Sequence, residues 1–261
     1  MSPTLSVITI CFNNPEDLIN TCRSVDMQAS EPFEHIIVNG STTNDIAQWH
    51  QSVSQPAYRK FIHERDKGIS DAFNKGIAQA SGSIIVLLNS ADQFATPDVL
   101  DTVIREFEKD PELKWLHGKY QFERGGIWVE LGKTFDPKLL YRGMRAICHQ
   151  TMFVKKELYD RYGLYDTDLK LAMDFDFLIR IRAEKFVFLR KVMVVFAPGG
   201  ASASNVSKGL NENTQIIRKH FGFSIKHQLW KVRIAVLSTV LSSPFGKMLY
   251  KIKVKMGLEN M

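Results

Sequence analysis

The chain has 261 residues, 44% of them apolar and 24% charged, a composition that excludes intrinsically disordered, collagen-like and low-complexity proteins. The longest uninterrupted apolar run is the six residues 192–197, whereas a helix needs about 20 to cross a bilayer, so we expect no membrane-spanning segment. The net charge of +6 comes from the end of the chain: residues 1–204 hold 24 basic and 26 acidic side chains, whereas residues 205–261 hold 10 basic and 2 acidic ones. The slightly acidic body is therefore not expected to bind nucleic acid.

The first half of the chain alternates predicted strands and helices. The predicted strands are 5–12, 34–38, 59–63 and 84–88, and the predicted helices are 15–27, one beginning at 45–51, and 69–80. The fourth strand is apolar throughout, which is typical of a central parallel strand covered on both faces. The alternation predicts an α/β fold with a doubly wound, mostly parallel sheet flanked by helices.

The second half is less regular. It is predicted to contain a helix over 97–109, a strand pair at 115–122 and 127–131, a strand over 149–154, a helix over 172–183 and a strand over 186–196. Repeats and a Pro/Ser-rich linker are absent from the sequence. We therefore predict one domain over 1–204, followed by a helical basic tail over 205–261.

The sequence also predicts a cytoplasmic location. Residues 5–12 are apolar, but no basic region precedes them and no small-residue cleavage site follows, which argues against a signal peptide. The three cysteines are odd in number and lack metal-ligand spacing, which favours reduced thiols over a disulfide or a zinc site.

Polar loops follow the four predicted strands of the first half. These loops are 13–14, 39–45, 64–68 and 89–92. Turn and capping chemistry would explain any one of them, but ligands bind at the carboxyl ends of strands in an open parallel sheet. We therefore expect the four loops to form one binding edge. A Gly-rich phosphate loop after the first strand is missing, which argues against a dehydrogenase or an NTPase.

An ordered set of motifs resembles glycosyltransferase family 2. The segments are SVITICFNN at 6–14, HIIVNGST at 35–42, DKGISDAFNKG at 66–76, LNSAD at 88–92, CHQ at 148–150, AMDFD at 172–176 and PGGAS at 198–202. The pattern is most similar to bacterial transferases that build capsule, O-antigen (lipopolysaccharide) or exopolysaccharide units. The resemblance implies a GT-A fold and an inverting transfer from a nucleotide-diphosphate sugar to a polyprenyl-linked or other saccharide acceptor.

Carried over position by position, the resemblance also implies site residues. The nucleotide sugar would be bound by Thr9, Phe12, Asn13, Asn39, Asp66, Gly68, Asp71, Asn74, Lys75, Asn89, Ser90, Ala91 and Asp92. The donor sugar or acceptor would be contacted by His149, Gln150 and Asp176. A buried structural histidine is the alternative interpretation of His149.

The catalytic base is predicted to be Asp174. An inverting transfer needs one carboxylate to take the proton of the acceptor hydroxyl and a positive centre to stabilise the departing diphosphate. Asp174 lies at the start of a predicted helix, where an acid also favours the helix dipole without any catalytic role. Asp176 projects from a different face of that helix, so we expect only one of the two to reach the sugar.

The expected metal ligands depart from the family pattern. The resemblance implies Mn²⁺ or Mg²⁺ held by acids after the fourth strand, but Ala91 stands at the principal ligand position and Asp92 is the remaining acid of Asn89–Asp92. Asn39 also stands after the second strand, where the family pattern has an acid that accepts a hydrogen bond from the base or ribose. Three explanations stay open: an engineered Asp-to-Ala change, natural drift to a catalytically impaired nucleotide-sugar-binding protein, or a shifted site that uses Asp92.

The tail is predicted to hold two helices, 211–222 and 225–241, followed by Lys247, Lys251, Lys253 and Lys255. Apolar residues among basic ones are typical of an amphipathic helix at a membrane interface, and we expect peripheral association with the inner face of the cell membrane. A helix packed on the domain with lysines facing water is the alternative. A second alternative function is a membrane-surface interaction protein that binds no ligand. The sequence does not determine the donor base, the sugar or the oligomeric state.

Overall fold

The computed structural model describes residues 3–124, 126–144, 147–197, 205–242 and 248. The first half consists of β1 (Leu5–Cys11), α1 (Pro15–Asp26), β2 (Glu34–Asn39), α2 (Asp45–Ser52), β3 (Arg59–His63), α3 (Ile69–Gln79) and β4 (Ile84–Leu87). Strand β1 pairs in parallel with β2 and with β4, and β2 pairs in parallel with β3. The predicted α/β alternation is confirmed for this half of the chain.

The second half completes the sheet. It consists of β5 (Gln93–Phe94), α4 (Val99–Lys109), β6 (Trp115–Arg124), β7 (Ile127–Leu131), β8 (Met152–Lys155), α5 (Lys156–Tyr162), α6 (Met173–Arg180) and β9 (Phe186–Val195). The strand order is β3-β2-β1-β4-β8-β6-β9-β5, with β7 paired to β6. Strand β8 runs antiparallel to β4 and β6, so this half of the sheet is mixed, not parallel.

Several boundaries differ from the sequence prediction. His149–Thr151 form a 3₁₀ turn and the strand begins only at Met152, because the Thr151 hydroxyl donates back to the Cys148 carbonyl. Helix α6 ends at Arg180, three residues early. Strand β5 and helix α5 were not predicted, since two and seven residues are too short for a periodic signal.

The sheet is covered on both faces. Alternate residues of the central strands point to opposite sides, so Ile8 joins one core cluster with Phe73 while its neighbour Val7 joins another with Phe153. Helix α3 lies close against β1 at Gly76, where an added Cβ would come within 2.4 Å of an Ile8 methyl carbon. This close packing fixes the loop between β3 and α3 relative to the end of β1.

The tail divides into two parts with different surroundings. Helix α7 (Val206–Phe221) inserts Ile216 and Ile217, which are 1% and 3% exposed, into the same core cluster as Ile8. Helix α8 (Ile225–Ser242) is mostly exposed. Because α7 shares this core, we propose that the folded body extends to the end of α7 and not to residue 204.

Among the described residues, the helices are too short or too polar to cross a membrane. Two features of the sequence lie outside the described residues: the PGGAS motif at 198–202 and the four lysines 247, 251, 253 and 255.

The shared core predicts a large stability effect in α7. Replacing Ile216 by Ala should lower the free energy of unfolding by about 2–5 kcal/mol, because it removes buried methyl and methylene groups and leaves a cavity. Val232, 61% exposed on α8, is the matched control, and Val232→Ala should change stability by less than about 0.5 kcal/mol. Urea denaturation followed by circular dichroism measures both, and equal effects would show that α7 is not part of the core.

Candidate active site

The loops at the carboxyl ends of β1, β2, β3 and β4 meet at one edge of the sheet, as predicted. The backbone itself joins them: Gly40 N donates to the Cys11 carbonyl, Glu64 N to the Asn39 carbonyl, and Ser90 N to the Ile10 carbonyl, at 3.1 Å each. Each loop thus begins at a fixed position relative to its neighbour. The result is a continuous rim of polar side chains along this edge.

The loop after β1 presents an exposed aromatic ring. Asn13 has a positive φ of 53° and bonds twice to Thr42, its Oδ1 accepting from the backbone N–H at 2.9 Å and its Nδ2 donating to the hydroxyl at 3.2 Å. The Asn13 side chain is therefore occupied in tying two loops together. Its neighbour Phe12 is 59% exposed at the rim.

The loop between β3 and α3 is held by its own charged side chains. The Asp66 carboxylate accepts from Gly68 N at 2.9 Å and lies directly over Gly40, where an added Cβ would come within 1.7 Å of it. Lys75 pairs with Glu64 at 2.7 Å and with Asp71 at 3.4 Å. The Asp71 carboxylate accepts from the Lys67 amide, which is the largest cause of its lowered pKa. These side chains shape the loop and keep the Asp71 carboxylate ionised.

Two residues predicted to contact the nucleotide are occupied elsewhere. Thr9 is fully buried and its hydroxyl bonds to His35 Nε2 at 2.9 Å, inside the sheet and not at its rim. Asn74 forms a two-point clamp with Tyr165, donating to its carbonyl and accepting from its amide, both at 2.9 Å. The structure therefore places Thr9 and Asn74 in supporting positions.

Asn39, at the end of β2, has one buried group without a partner. Its Oδ1 accepts from Ser41 N at 3.0 Å, which fixes the orientation of the amide. Its Nδ2 has no hydrogen-bond partner, and the residue is fully buried. A buried unsatisfied donor is rare and costly, so this N–H group is a candidate for a bond to a ligand.

The loop after β4 combines a strained residue with a buried acid. Ala91 has a φ of 81°, a left-handed conformation that favours glycine. The Asp92 carboxylate, 3% exposed, accepts from Ala197 N at 2.9 Å and from Gln150 Nε2 at 2.7 Å. Burial raises the pKa of Asp92 to about 6, against the lowering effect of those two bonds.

The predicted base Asp174 lies beside His149, which was predicted to contact the donor sugar or acceptor. His149 Nδ1 lies 3.4 Å from Asp174 Oδ2, and the two side chains are 19% and 23% exposed. His149 Nε2 lies 3.3 Å from Asn89 Nδ2, which can only donate, so the histidine proton belongs on Nδ1, facing Asp174. Phe73 packs edge-on against the imidazole.

This geometry favours Asp174 over His149 as the base. The lone pair of His149 Nε2 is used by Asn89, whereas Asp174 Oδ2 keeps a lone pair beside its contact with His149 Nδ1, and the Asp174 side chain is 23% exposed. Its other oxygen, Oδ1, accepts from Phe175 N at 2.8 Å, which fixes the carboxylate at the start of α6. A proton acceptor is thus placed at the edge where the four loops converge.

Gln150 and Asp176, both predicted to contact the sugar or acceptor, are 1% exposed. Gln150 is bonded to Asp92, as described above. The Asp176 carboxylate binds Arg180 at 2.9 Å and His220 at 2.8 Å, so it joins α6 to α7. Asp176 is therefore occupied between these two helices, and we leave it out of the proposed substrate contacts.

Sequence reasoning missed Glu212. Its carboxylate accepts from three successive backbone amides directly before α6, although it lies 40 residues away in the chain. The available signal was its position as one of two acids in a basic tail and the one acid of its helix.

No group of three or more His, Cys, Asp or Glu side chains forms a metal cluster among the described residues. Mg²⁺ is commonly held by one or two carboxylates together with substrate phosphates, so such a cluster is not required. The oxygens offered near the rim are the Asp92 carboxylate and Asn89 Oδ1, a buried atom without a hydrogen-bond partner. This donor set fits a hard cation shared with a diphosphate.

A family model and curated relatives identify the same protein family. The family model for glycosyl transferase family 2 matches residues 6–163. An uncharacterized glycosyltransferase of Mycobacterium tuberculosis is 33% identical over 181 residues, which are 69% of this chain and 69% of that protein. A PGL/p-HBAD biosynthesis glycosyltransferase of Mycobacterium bovis is 28% identical over 219 residues, 79% of this chain and 82% of that protein.

Solved structures share the architecture at low sequence identity. The mannosyltransferase PcManGT of Pyrobaculum calidifontis, in complex with GDP-Man and Mn²⁺, has a TM-score of 0.62 at 15% identity, covering 99% of this chain and 81% of its own. S. aureus TarS 1-349 has a TM-score of 0.60 at 16% identity, covering 92% and 81%. From the family match, these relatives and the shared architecture, the chain belongs to glycosyltransferase family 2 and is a glycosyltransferase of GT-A fold.

Proposed function

We propose that the protein transfers a sugar from a nucleotide-diphosphate donor to a hydroxyl group by a single inverting displacement, with Asp174 as the general base. The observation that carries this proposal is the position of Asp174. One carboxylate oxygen accepts from the Phe175 amide, the other lies 3.4 Å from His149 Nδ1, and the Asp174 side chain is partly exposed. The bond from the acceptor oxygen to the anomeric carbon forms as the bond to the diphosphate breaks, and the hydroxyl proton passes to Asp174 Oδ2.

The nucleotide-sugar donor is supported by solved structures of GT-A fold. PcManGT was solved with GDP-Man, and S. aureus TarS 1-349 was solved with UDP-GlcNAc. In this chain the exposed Phe12 ring and the unpartnered Asn39 N–H are the groups we assign to the nucleotide. An aromatic face and a buried donor are chemically suited to a nucleobase.

A divalent cation would be held by Asp92 and Asn89 Oδ1 together with the diphosphate oxygens. Mn²⁺ in the PcManGT complex supports this assignment. Each carboxylate oxygen of Asp92 keeps a lone pair after its bond to Gln150 or Ala197. When bound, such a cation would neutralise the negative charge that develops on the leaving diphosphate.

The acceptor is proposed to be a glycan or glycolipid precursor at a membrane surface. The relative in Mycobacterium bovis is named for PGL/p-HBAD biosynthesis. In this chain, helix α8 is apolar on two faces: Trp230 and Ile234 are partly buried, while Leu229, Val232 and Val236 are 67%, 61% and 57% exposed. Apolar residues are therefore not gathered on a single face, and the predicted amphipathic pattern is weak.

The positive charge of the tail supports binding to an anionic membrane surface. Residues 213–258 contain nine Lys or Arg and no acidic residue. Within α8, Lys226, Lys231 and Arg233 are interleaved with the exposed apolar side chains. Apolar burial and attraction to anionic lipids act together in such a helix. We therefore propose peripheral association of the cytoplasmic protein with the inner face of the bacterial membrane.

Replacing Asp174 by Asn should lower kcat by about 10²–10⁴-fold, because the amide has almost the same shape and no basic lone pair. Release of nucleoside diphosphate from GDP-Man or UDP-GlcNAc, with bacterial lipid extract as acceptor, measures the rate, and titration calorimetry of GDP and UDP checks that nucleotide binding is retained. Asp168→Asn, on an exposed acid of the preceding loop, is the control and should leave kcat unchanged. A wild-type rate for Asp174→Asn would rule out the proposed base, and nucleotide binding without turnover by the wild type would favour a binding protein.

Mn²⁺ should tighten the binding of GDP or UDP to the wild-type protein, and Asn89→Ala should remove at least part of that gain, since it deletes one proposed oxygen ligand. Titration calorimetry with Mn²⁺ and with EDTA measures the difference. In EDTA the two proteins should bind nucleotide alike. An equal response of both proteins to Mn²⁺ would exclude Asn89 as a ligand.

Replacing Leu229, Val232 and Val236 together by Ser should weaken binding to phosphatidylglycerol vesicles by more than about tenfold, because each exposed apolar side chain is worth about 1 kcal/mol or more when buried. Vesicle sedimentation in low and high salt measures the affinity, and the wild type should bind phosphatidylcholine weakly. The control replaces Met27, Phe33 and Val53, which are exposed elsewhere, by Ser. Equal losses in both triple variants would contradict a specific role for α8.

A further inference from the structure

We propose that Glu212, on helix α7, is a positioning residue for the base Asp174, an inference that rests on the function proposed above. Glu212 is 8% exposed. Its carboxylate accepts hydrogen bonds from the backbone N–H groups of Lys170, Leu171 and Ala172 at 3.2, 2.8 and 2.9 Å. These three residues lead directly into α6, whose second residue is Asp174.

Helix α6 lacks a cap of its own. The residue at its N-cap position is Ala172, which has no side-chain acceptor. The backbone N–H groups around a helix start have no intrahelical partners and are normally satisfied by a Ser, Thr, Asp or Asn at this position. From another helix, Glu212 satisfies the amides of the N-cap residue Ala172 and of the two residues before it. Its negative charge also interacts favourably with the positive end of the α6 dipole.

The segment before α6 is held from two sides. From α3, the Ser70 hydroxyl donates to the Leu169 carbonyl at 2.8 Å, and Asn74 clamps the Tyr165 backbone. From α7, Glu212 holds the three residues that follow. The hydrogen bonds from α3 end at Leu169, so Glu212 supplies the polar contacts to the three residues directly before α6.

The orientation of the Asp174 carboxylate follows from the backbone of the first turn of α6. Asp174 Oδ1 is bonded to Phe175 N, and Oδ2 lies 3.4 Å from His149 Nδ1. A general base works only within hydrogen-bond reach of the proton that it takes. A displacement of about 1 Å costs up to about 10²-fold in rate, so loss of the Glu212 bonds should reduce turnover without removing any group that touches substrate.

His220 offers a matched control on the same helix. It lies two turns beyond Glu212, is mostly buried, and bonds to Asp176 Oδ1 at 2.8 Å. It thus docks α7 against α6 as Glu212 does, but it does not contact the segment before Asp174. His220→Gln tests the effect of weakened helix docking alone.

The experiment compares Glu212→Gln, Glu212→Ala and His220→Gln with the wild-type protein. We expect kcat to fall several-fold for Glu212→Gln, which keeps one oxygen acceptor, and about 10–100-fold for Glu212→Ala. The KM for GDP-Man or UDP-GlcNAc and the Kd for GDP or UDP should stay within twofold. Hydrogen exchange should accelerate at the amides of Leu171 and Ala172 in the Glu212 variants, and His220→Gln should keep both kcat and this local protection.

If kcat per folded molecule falls equally in His220→Gln and in the Glu212 variants, Glu212 acts only by docking α7 on α6. That result would overturn the inference. Unchanged kcat in the Glu212 variants would also overturn it. Glu212→Gln carries the test if Glu212→Ala does not fold. Asp174→Asn is measured alongside: if it keeps full activity, the proposed base and this inference both fail, whereas an inactive Asp174→Asn with a fully active Glu212→Ala overturns only the inference.

Discussion

The buried carboxylate of Asp92 joins the two halves of the molecule. It follows β4, at the end of the parallel strands, and accepts from Gln150 and Ala197 of the second half. The carbonyl of the same residue accepts from the Thr21 hydroxyl of α1 at 2.8 Å. A carboxylate removed from water requires such partners, and burial still leaves its pKa raised. The position of His149 relative to the rim depends on this junction, because His149 precedes Gln150 in the same 3₁₀ turn.

Most polar side chains of the rim are occupied in holding loops. Asn13 forms hydrogen bonds to Thr42, Asn74 forms hydrogen bonds to the Tyr165 backbone, and Lys75 forms a salt bridge to Glu64 in the loop before α3. Such bonds fix the loop geometry, and the side chains that form them are not available to contact a ligand. In the part of the chain that the structure describes, Asn39 Nδ2 and Asn89 Oδ1 lie buried near the rim without a hydrogen-bond partner, and Asp174 is partly exposed beside His149. A preorganised site needs this division between supporting and contacting groups.

The acidic body and the basic tail are not separate units. Helix α7 contributes Ile216 and Ile217 to the main core, and its polar groups reach α6 through Glu212 and His220. Helix α8 continues from it and contacts the 3₁₀ segment Pro137–Arg142, where His227 Nδ1 lies 2.8 Å from the Tyr141 carbonyl. The helix that presents apolar and basic side chains outward is thus connected, through α7, to the helix that carries the proposed base.

The sequence by itself determined the α/β alternation, the four polar loops at one edge, and the family, because these rest on local periodicity and on the ordered motifs. It also separated Asp174 from Asp176 through helical spacing. Only the tertiary structure decided which predicted residues face the rim: Thr9 and Gln150 are buried by neighbours distant in the chain. The same holds for the left-handed backbone at Ala91 and for Glu212, whose partners lie about 40 residues away. Contacts of this kind depend on how the elements pack, which no local pattern encodes.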